Sequence, residues 1–278
     1  MIQFAPEPGG RLAFDIFIRS LLEADWKSST GPMRFSPSLA LSDLGEAIFF
    51  QNTRLFLAAL AAESGTPATA TGNLTRAFVG RLFERLTLPQ HHRDSIRHVC
   101  KVVNEQDLWP LHLARVVAEC ARLVVRRDKR FQLSRAGREL LPDDQAGALY
   151  RRLFLAYFRR FNLQYDFHLR DVPLMQESMA VILWRLDKVA RDWTPVRGLA
   201  RQVLLPQVFD QLHAVMVSPY DKEEWILGGY VLEPLRDLGL LERKARSEWR
   251  LVTEEDEIRT TSLWRKFIRF EPWAEEAI

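Results

Sequence analysis

The sequence predicts a mainly helical α+β protein, in which two helical units with small β-hairpins are joined by a helical connector. Three observations predict this class. Apolar residues recur at helical spacing, as in Leu74, Phe78 and Leu82. Residues 123–133 and 238–253 each contain short apolar runs on either side of a charged turn. The chain has 278 residues, 47% of them hydrophobic, which is enough for one large or two modest domains.

The elements of the first half follow a definite order. A helix is predicted over residues 11–25, ahead of a loop rich in Ser, Thr, Gly and Pro. The pattern after residue 42 then predicts a helix that Gly65 ends, a short turn-like strand at 66–72 and a helix that Asn73 caps. A polar loop with histidines is predicted at 89–105 and a further helix at 107–121. A hairpin with a four-residue charged turn follows at 123–133, and a helix restarts at Ser134.

The last third repeats this order. Helices are predicted at 198–217 and 222–237, followed by a hairpin at 238–253 that again has a basic turn, an aromatic residue and a closing Thr. The repeat indicates an internal duplication. Residues 261–270 are predicted to form a closing helix whose aromatic side chains dock on the body. We therefore divide the chain into an N-terminal helical extension at 1–42, a first unit at 43–142, a helical connector at 143–196, and a second unit with its closing helix at 197–278.

The segment LVVRRDKRFQLSRAGRELL, residues 123–141, resembles the hairpin and following helix of the winged helix-turn-helix superfamily. The order of the preceding elements agrees, and the resemblance covers about a third of the chain. It implies tandem winged-helix units, in which the helix before each hairpin enters the major groove of DNA and the hairpin reaches a groove or the phosphates. Two further phrases, TGNLTRAFV at 71–79 and TTSLWRKFIRF at 260–270, resemble an uncharacterised bacterial family with some members on plasmids or mobile elements; this second resemblance implies no activity.

The charge of the chain is unevenly distributed. Residues 69–138 hold 14 Arg or Lys against 6 Asp or Glu, a local excess of +8, and the whole chain has a net charge of only +3. A basic module on an acidic body indicates an anionic partner, and double-stranded DNA is the leading candidate. The candidate phosphate contacts are Arg76, Arg81, Arg126, Arg127, Lys129 and Arg130. The candidate base contacts, on the expected outward face of the helix at 107–121, are His112 and Arg115.

The second unit is a poorer candidate for DNA contact. Its hairpin carries Arg243, Lys244, Arg246 and Arg250, but Glu242 and Glu248 interrupt them. The helix before it starts with acidic residues and contains Gly228-Gly229, which favours close packing of another backbone. The sequence therefore leaves two functions open: a non-enzymatic DNA-binding regulator or accessory protein, or a protein-interaction scaffold whose winged helices no longer bind nucleic acid. Self-association is compatible with both.

Other classes of function receive little support. Phosphate-loop, dinucleotide, zinc-protease and nucleophile-elbow motifs are absent from the sequence, so we expect no enzyme and no cofactor. The cluster of His91, His92, His98 and Cys100 lacks the spacing of a zinc site, so no metal is expected. Asp166 and His168 are the one conceivable acid–base pair. Two cysteines make no disulfide framework, and no leader or membrane span is seen, so a cytoplasmic protein is expected.

Overall fold

The computed structural model describes residues 11–165, 171–216, 218, 222–246 and 252–272. The chain divides into two compact units. The first unit comprises residues 37–161, and the second comprises residues 1–36 together with 162–278. Helices dominate both, and the strands form small antiparallel sheets, which confirms the predicted fold class. In the described part of the chain, no helix is both long and apolar enough to cross a membrane. The four-part division made from the sequence stays a prediction.

The helices, in chain order, are α1 (Arg11–Leu22), α2 (Ile48–Ala62), α3 (Arg76–Phe83), α4 (Gln90–Val99), α5 (Trp109–Cys120), α6 (Arg135–Leu140), α7 (Ala146–Arg159), α8 (Pro173–Glu177), α9 (Met179–Val189), α10 (Leu199–Val203), α11 (Pro206–Val215), α12 (Glu223–Leu227), α13 (Glu233–Asp237) and α14 (Ser262–Phe267). The strands are β1 (Met33–Phe35), β2 (Thr66–Pro67), β3 (Val124–Arg127), β4 (Arg130–Leu133), β5 (Thr194–Pro195), β6 (Leu241–Lys244), β7 (Glu257–Thr260) and β8 (Ile268–Phe270). A π-helical turn, Gly228–Leu232, connects α12 to α13.

The core of the first unit lies where α2 and α7 pack against α5. Edge-to-face aromatic contacts connect its helices: Phe50 with Tyr150 at 5.8 Å between ring centroids, and Phe56 with Phe78 at 6.2 Å. Strands β2, β4 and β3 form a three-stranded sheet in that order. Because α5 lies between two helices and also contacts β3, every one of its twelve residues is buried or half-buried.

Helix α4 occupies part of the segment predicted to be a polar loop, so that prediction was wrong. Its single buried apolar residue is Ile96, which is too sparse a pattern to indicate a helix. The guanidinium groups of Arg93 and Arg97 lie 5.4 and 5.7 Å from the ring centroid of Phe83. Arg93 also donates to the Leu86 carbonyl at 2.7 Å. Packing against the end of α3 therefore supports this helix in place of an apolar stripe.

The first hairpin, β3 with β4, turns through two residues instead of the predicted four. Asp128 and Lys129 have φ of 50° and 55°, the left-handed values that a tight two-residue turn of this kind requires. The last pair of the ladder is Arg127 opposite Arg130. The charged residues beside the turn thus belong to the strands, where the ladder holds their backbone in place.

The second unit contains an equivalent sheet, in the order β5, β7, β6. Its hairpin, β6 with β7, differs from the prediction at 238–253, because the closing strand is β7, further along the chain. Residues 247–251, which the prediction assigned to that strand, lie outside the described residues. The predicted closing helix is also shorter: α14 gives way to β8, which pairs with β1. Trp264 and Phe267 of α14 are buried, as expected of docking aromatic residues.

The two units close their hairpins with matching hydrogen bonds. The Ser134 hydroxyl donates to the Arg122 carbonyl at 2.8 Å and caps α6 by accepting the Gly137 N–H. The Thr261 hydroxyl donates to the Gly239 carbonyl at 2.8 Å and likewise caps α14. Arg122 and Gly239 both have positive φ. The strand ladders also correspond, so the two units repeat one local design.

Candidate nucleic-acid interface

The tip of the first hairpin presents three exposed cations. Arg126, Arg127 and Lys129 have no acidic side chain within ion-pair distance among the residues that the structure describes. Asp128 and Lys129, the two residues with positive φ, fix the conformation of the turn, so the three basic side chains project from a backbone of defined geometry. Arg130 differs, because it is half-buried and donates to the Gly65 carbonyl at 3.1 Å. Arg130 therefore holds the sheet to the end of α2, and the other three cations remain available to an anion.

The two candidates on α3 are placed differently from each other. Arg76, the first residue of the helix, is exposed and donates from Nε to the Asn104 side chain at 2.8 Å. Arg81 makes a bidentate ion pair with Glu63, at 2.7 and 2.9 Å from Nη2. The charge of Arg81 is therefore already neutralised by a neighbouring carboxylate, whereas that of Arg76 is not.

The two candidate base-reading residues are not on an outward face, contrary to prediction. His112 and Arg115 are 5% and 7% exposed. Both contact Glu105, whose side chain is fully buried: Nδ1 of His112 lies 2.7 Å from its Oε1, and Nε of Arg115 donates to the same oxygen at 2.6 Å. The N–H of Leu74 donates to the other carboxylate oxygen. This buried cluster connects α5 to the start of α3, so neither side chain reaches a groove.

The ionisation of Glu105 follows from these contacts. Burial acts to raise the pKa of its carboxyl group, but the hydrogen bond with His112 and the charge of Arg115 outweigh burial. The pKa of Glu105 therefore lies below its ordinary value. The carboxylate stays charged at neutral pH and compensates the buried guanidinium, as a buried ion pair requires.

A cavity of about 600 Å³ opens beside this cluster. Hydroxyl and amide side chains contribute to its wall: Thr69, Thr71, Asn73, Thr75 and Asn104. Of these only Asn73 was named from the sequence, as the cap of a helix whose N-cap residue is instead Thr75. Arg76 lines it too. The Arg126 guanidinium lies against Gly72, in the loop that forms one wall, since a Cβ there would be 2.6 Å from Nη1. The hairpin cation Arg126 and the helix cation Arg76 thus both adjoin this loop.

The second hairpin has a similar number of basic residues, but its described cations are paired with acids. Arg243 pairs with the buried Asp256 at 2.9 Å. Lys244 and Arg246 both pair with Glu257 at 3.0 Å. A fourth cation, Arg259 of β7, contacts Glu242 at 2.7 Å. Arg250 lies outside the described residues. The two hairpins therefore share a backbone design and differ in whether their charge is available.

Two further candidates from the sequence were a metal cluster and an acid–base pair. No group of three or more His, Cys, Asp or Glu side chains is placed to hold a metal ion within the described ranges. Asp166 and His168 lie outside those ranges. Cys100 and Cys120 are free, half-buried thiols.

Comparison with known proteins adds one finding. Residues 46–148 match the family model described as the Y4jL N-terminal domain. This match lies within the first unit and includes the hairpin. The family is uncharacterised, in agreement with the resemblance of residues 71–79 to an uncharacterised family. No curated protein and no solved structure matches the chain.

Proposed function

We propose that the first unit is a winged-helix module that binds double-stranded DNA through its phosphates, in a non-enzymatic regulator or accessory protein of the bacterial cytoplasm. The observation that carries the proposal is the set of three exposed cations at the tip of the first hairpin that have no ion-pair partner among the described residues: Arg126, Arg127 and Lys129. Guanidinium groups suit bidentate contact with phosphate oxygens. An excess of positive charge around the hairpin supports this partner.

The order of elements supports the winged-helix assignment. Helix α2, strand β2, helices α3 and α5 and the hairpin β3–β4 follow in the order that the superfamily has, and β2 pairs with β4. Helix α4 is an addition between the two helices that would form the helix-turn-helix. The second unit has the same strand pairing, with β5 on β7. Because its hairpin cations are paired, we assign this second winged helix a structural role.

The burial of α5 limits what such a module can do. A recognition helix needs exposed side chains to reach base edges in the major groove, and α5 has none. We therefore expect binding that depends on phosphate charge and varies little with sequence. Arg76 and the loop at 69–75 would supply a second contact to the phosphates of the DNA, because they adjoin Arg126.

A fluorescence-anisotropy salt titration with a labelled duplex of random sequence tests the proposal. The Arg126→Ala/Arg127→Ala/Lys129→Ala variant should bind more weakly. The slope of the logarithm of its binding constant against the logarithm of the salt concentration should be smaller in magnitude by about 2 to 3, since each lost phosphate contact removes about 0.9 from that slope. The matched control is Lys244→Ala/Arg246→Ala/Arg259→Ala, which removes the same charge from the second hairpin at three paired cations. Lys244 and Arg246 are exposed, and Arg259 is half-buried beside the Trp193 ring.

Two results would contradict the proposal. One is the absence of duplex binding by the full chain at low salt. The other is an equal loss of slope in both triple variants, which would mean that net charge alone, without the tip of the first hairpin, accounts for binding.

The alternative function, a protein-interaction scaffold, is favoured by a different surface. Helix α4 and the segment after it expose Val99, which is 75% accessible, and Val102. Apolar residues beside a buried α5 suit a protein partner better than a phosphate backbone. Under this alternative, Val99→Asp/Val102→Asp should abolish recovery of a specific partner from host extract, and the first-hairpin triple variant should not.

A further inference from the structure

Helix α1 has two opposite faces, and only one of them packs on other residues that the structure describes. Its inner face packs on α9: the Phe17 ring meets that of Trp184 edge-to-face at 5.2 Å, and Leu21 is fully buried. Its outer face nevertheless carries large apolar residues. Leu12 is 72% exposed and Ile16 is 61% exposed, and Leu22 is exposed as well. At 100° per residue these three side chains lie within about 120° of one another around the helix.

The same outer face carries one acid and one base. Asp15 and Arg19 are exposed, and neither has an ion-pair partner among the described residues. They stand four positions apart, so both lie on the outward arc between the apolar side chains. The order along the face is apolar, acidic, apolar, basic, apolar. This arrangement is unusual for a simply solvated helix, which carries polar residues on its outer face.

The order of these residues is self-complementary. We propose that α1 pairs antiparallel with α1 of a second copy of this chain, about a twofold axis at the level of Phe17. Asp15 then faces Arg19 of the second copy, and Arg19 faces its Asp15. Leu12 lies opposite Leu22, and Ile16 lies near the axis. Both charge pairs and both apolar pairs are centred on the same residue, which a twofold interface requires because each copy uses the same patch.

The second copy explains this face better than an unrelated partner. An unrelated helix or groove would need no symmetry between the acid and the base, or between the two outer leucines. The proposal does not rest on nucleic-acid binding, since all of its residues are on α1. A helix of 12 residues is about 18 Å long, so the contact falls at the small end of specific interfaces, below about 1,200 Å². We therefore expect a dimer that dissociates on dilution.

Sedimentation velocity over a hundredfold range of concentration tests the pairing with charge-reversal variants of the full chain. Asp15→Arg places two cations on each helix, and Arg19→Asp places two anions, so each variant alone should dimerise at least tenfold more weakly than the wild type. An equimolar mixture of the two should restore the dimer, because opposite charges again face each other. The double variant Asp15→Arg/Arg19→Asp should also restore it.

Controls separate this pairing from other causes. Arg265→Asp makes the same change in net charge as Arg19→Asp at an exposed position of α14, and should leave the dimer unchanged. The first-hairpin triple variant should also dimerise normally, so failure here and failure of the proposed function are distinguishable. A wild type that stays monomeric at the highest concentration would overturn the inference and would indicate that the face is covered by the chain itself. Single variants that still dimerise, or a mixture that does not, would overturn it too.

Discussion

Replacing Glu105 with Ala should cost the first unit more stability than any change to a surface ion pair. The carboxylate has a fully buried side chain and accepts from Arg115, from the Leu74 N–H and, when His112 carries its proton on Nδ1, from His112. Its removal takes from the buried Arg115 guanidinium its fully buried counter-charge and leaves only Glu119, whose side chain is partly exposed; it also leaves the buried Leu74 N–H unsatisfied. Breaking a buried ion pair in this way costs about 3 to 5 kcal/mol of unfolding free energy.

Urea denaturation followed by circular dichroism measures this loss, and hydrogen exchange of peptides from residues 69–78 and 105–120 locates it in the first unit. Glu63→Ala is the matched control. It also removes a carboxylate that pairs with an arginine, Arg81, but at the surface, where such a pair is worth less than about 1 kcal/mol. A Glu105→Ala variant that loses no more than Glu63→Ala would refute the reasoning.

The pH dependence of this contribution has a definite sign. Because the pKa of Glu105 is lowered in the folded protein, its contribution to stability is complete above the ordinary Glu pKa, about 4.3, and is lost as the pH falls through the folded value. Glu105→Gln, which cannot ionise, should be less stable than the wild type at pH 7. The difference between the two proteins should shrink as the pH is lowered from 5.

Four further substitutions test the burial of Glu233, the packing around two glycines and the charge of the first hairpin. Burial raises the pKa of Glu233, so the folded protein binds a proton at this carboxyl group more tightly than the unfolded chain does, and the free energy of unfolding falls as the pH rises through that pKa. Glu233→Gln should therefore leave the free energy of unfolding at pH 7 unchanged or raised in the same urea assay. Glu105→Gln should have the opposite effect. Gly147→Ala should be strongly destabilising in thermal denaturation, because its Cβ would overlap the backbone of residues 37–39, whereas Gly80→Ala, in an open position of α3, should gain about 0.5 to 1 kcal/mol. Arg127→Glu should stabilise the first hairpin by about 0.2 to 1 kcal/mol, because it replaces a like-charge pair across the ladder, and should weaken duplex binding in the anisotropy assay.

The first hairpin was predictable because its signal is local. Alternating residues on either side of a charged turn, followed by the cap Ser134, fix two strands and a helix start within about twenty residues. The cations Arg126, Arg127 and Lys129 could be assigned to its tip for the same reason. Only the predicted length of the turn was wrong, since Asp128 and Lys129 have positive φ although neither position holds the glycine or asparagine that usually indicates it.

The buried cluster could not be predicted in the same way. Glu105 contacts the backbone of Leu74, 31 residues earlier, and a contact between residues so far apart cannot be predicted from a single sequence. One available signal pointed in the right direction. Helix α5 has Leu, Val or Ala on nearly every side, and a helix that is apolar all round is buried on all sides. That composition indicates that polar side chains on α5, such as His112 and Arg115, need internal partners.

The second hairpin was misplaced because a nearby phrase imitates its closing strand. Val252-Thr253 places an apolar residue directly before a hydroxyl residue, as Leu133-Ser134 does at the end of the first hairpin, whereas the residue that occupies the place of Ser134 is Thr261. A better marker was the Thr-Pro pair that begins each sheet, at 66–67 and 194–195. In each sheet the Thr-Pro pair lies opposite the first two residues of the strand that closes the hairpin, Arg130-Phe131 and Glu257-Ile258.

Because the two hairpins share a backbone design, the difference in their charged residues can be compared position by position. At the pair nearest the turn, the second hairpin sets Lys244 opposite Glu257, and the first sets Arg127 opposite Arg130. The backbone design accommodates an opposite-charge pair, as the second hairpin demonstrates, so folding alone does not explain two arginines facing each other at a cost in stability. Arg130 is held by the Gly65 carbonyl, so Arg127 is the member of this pair that is available to an external anion. An anion beside Arg127 would reduce the repulsion between the two guanidinium groups, so the like-charge pair favours the proposed phosphate contact over a hairpin that only closes its own sheet.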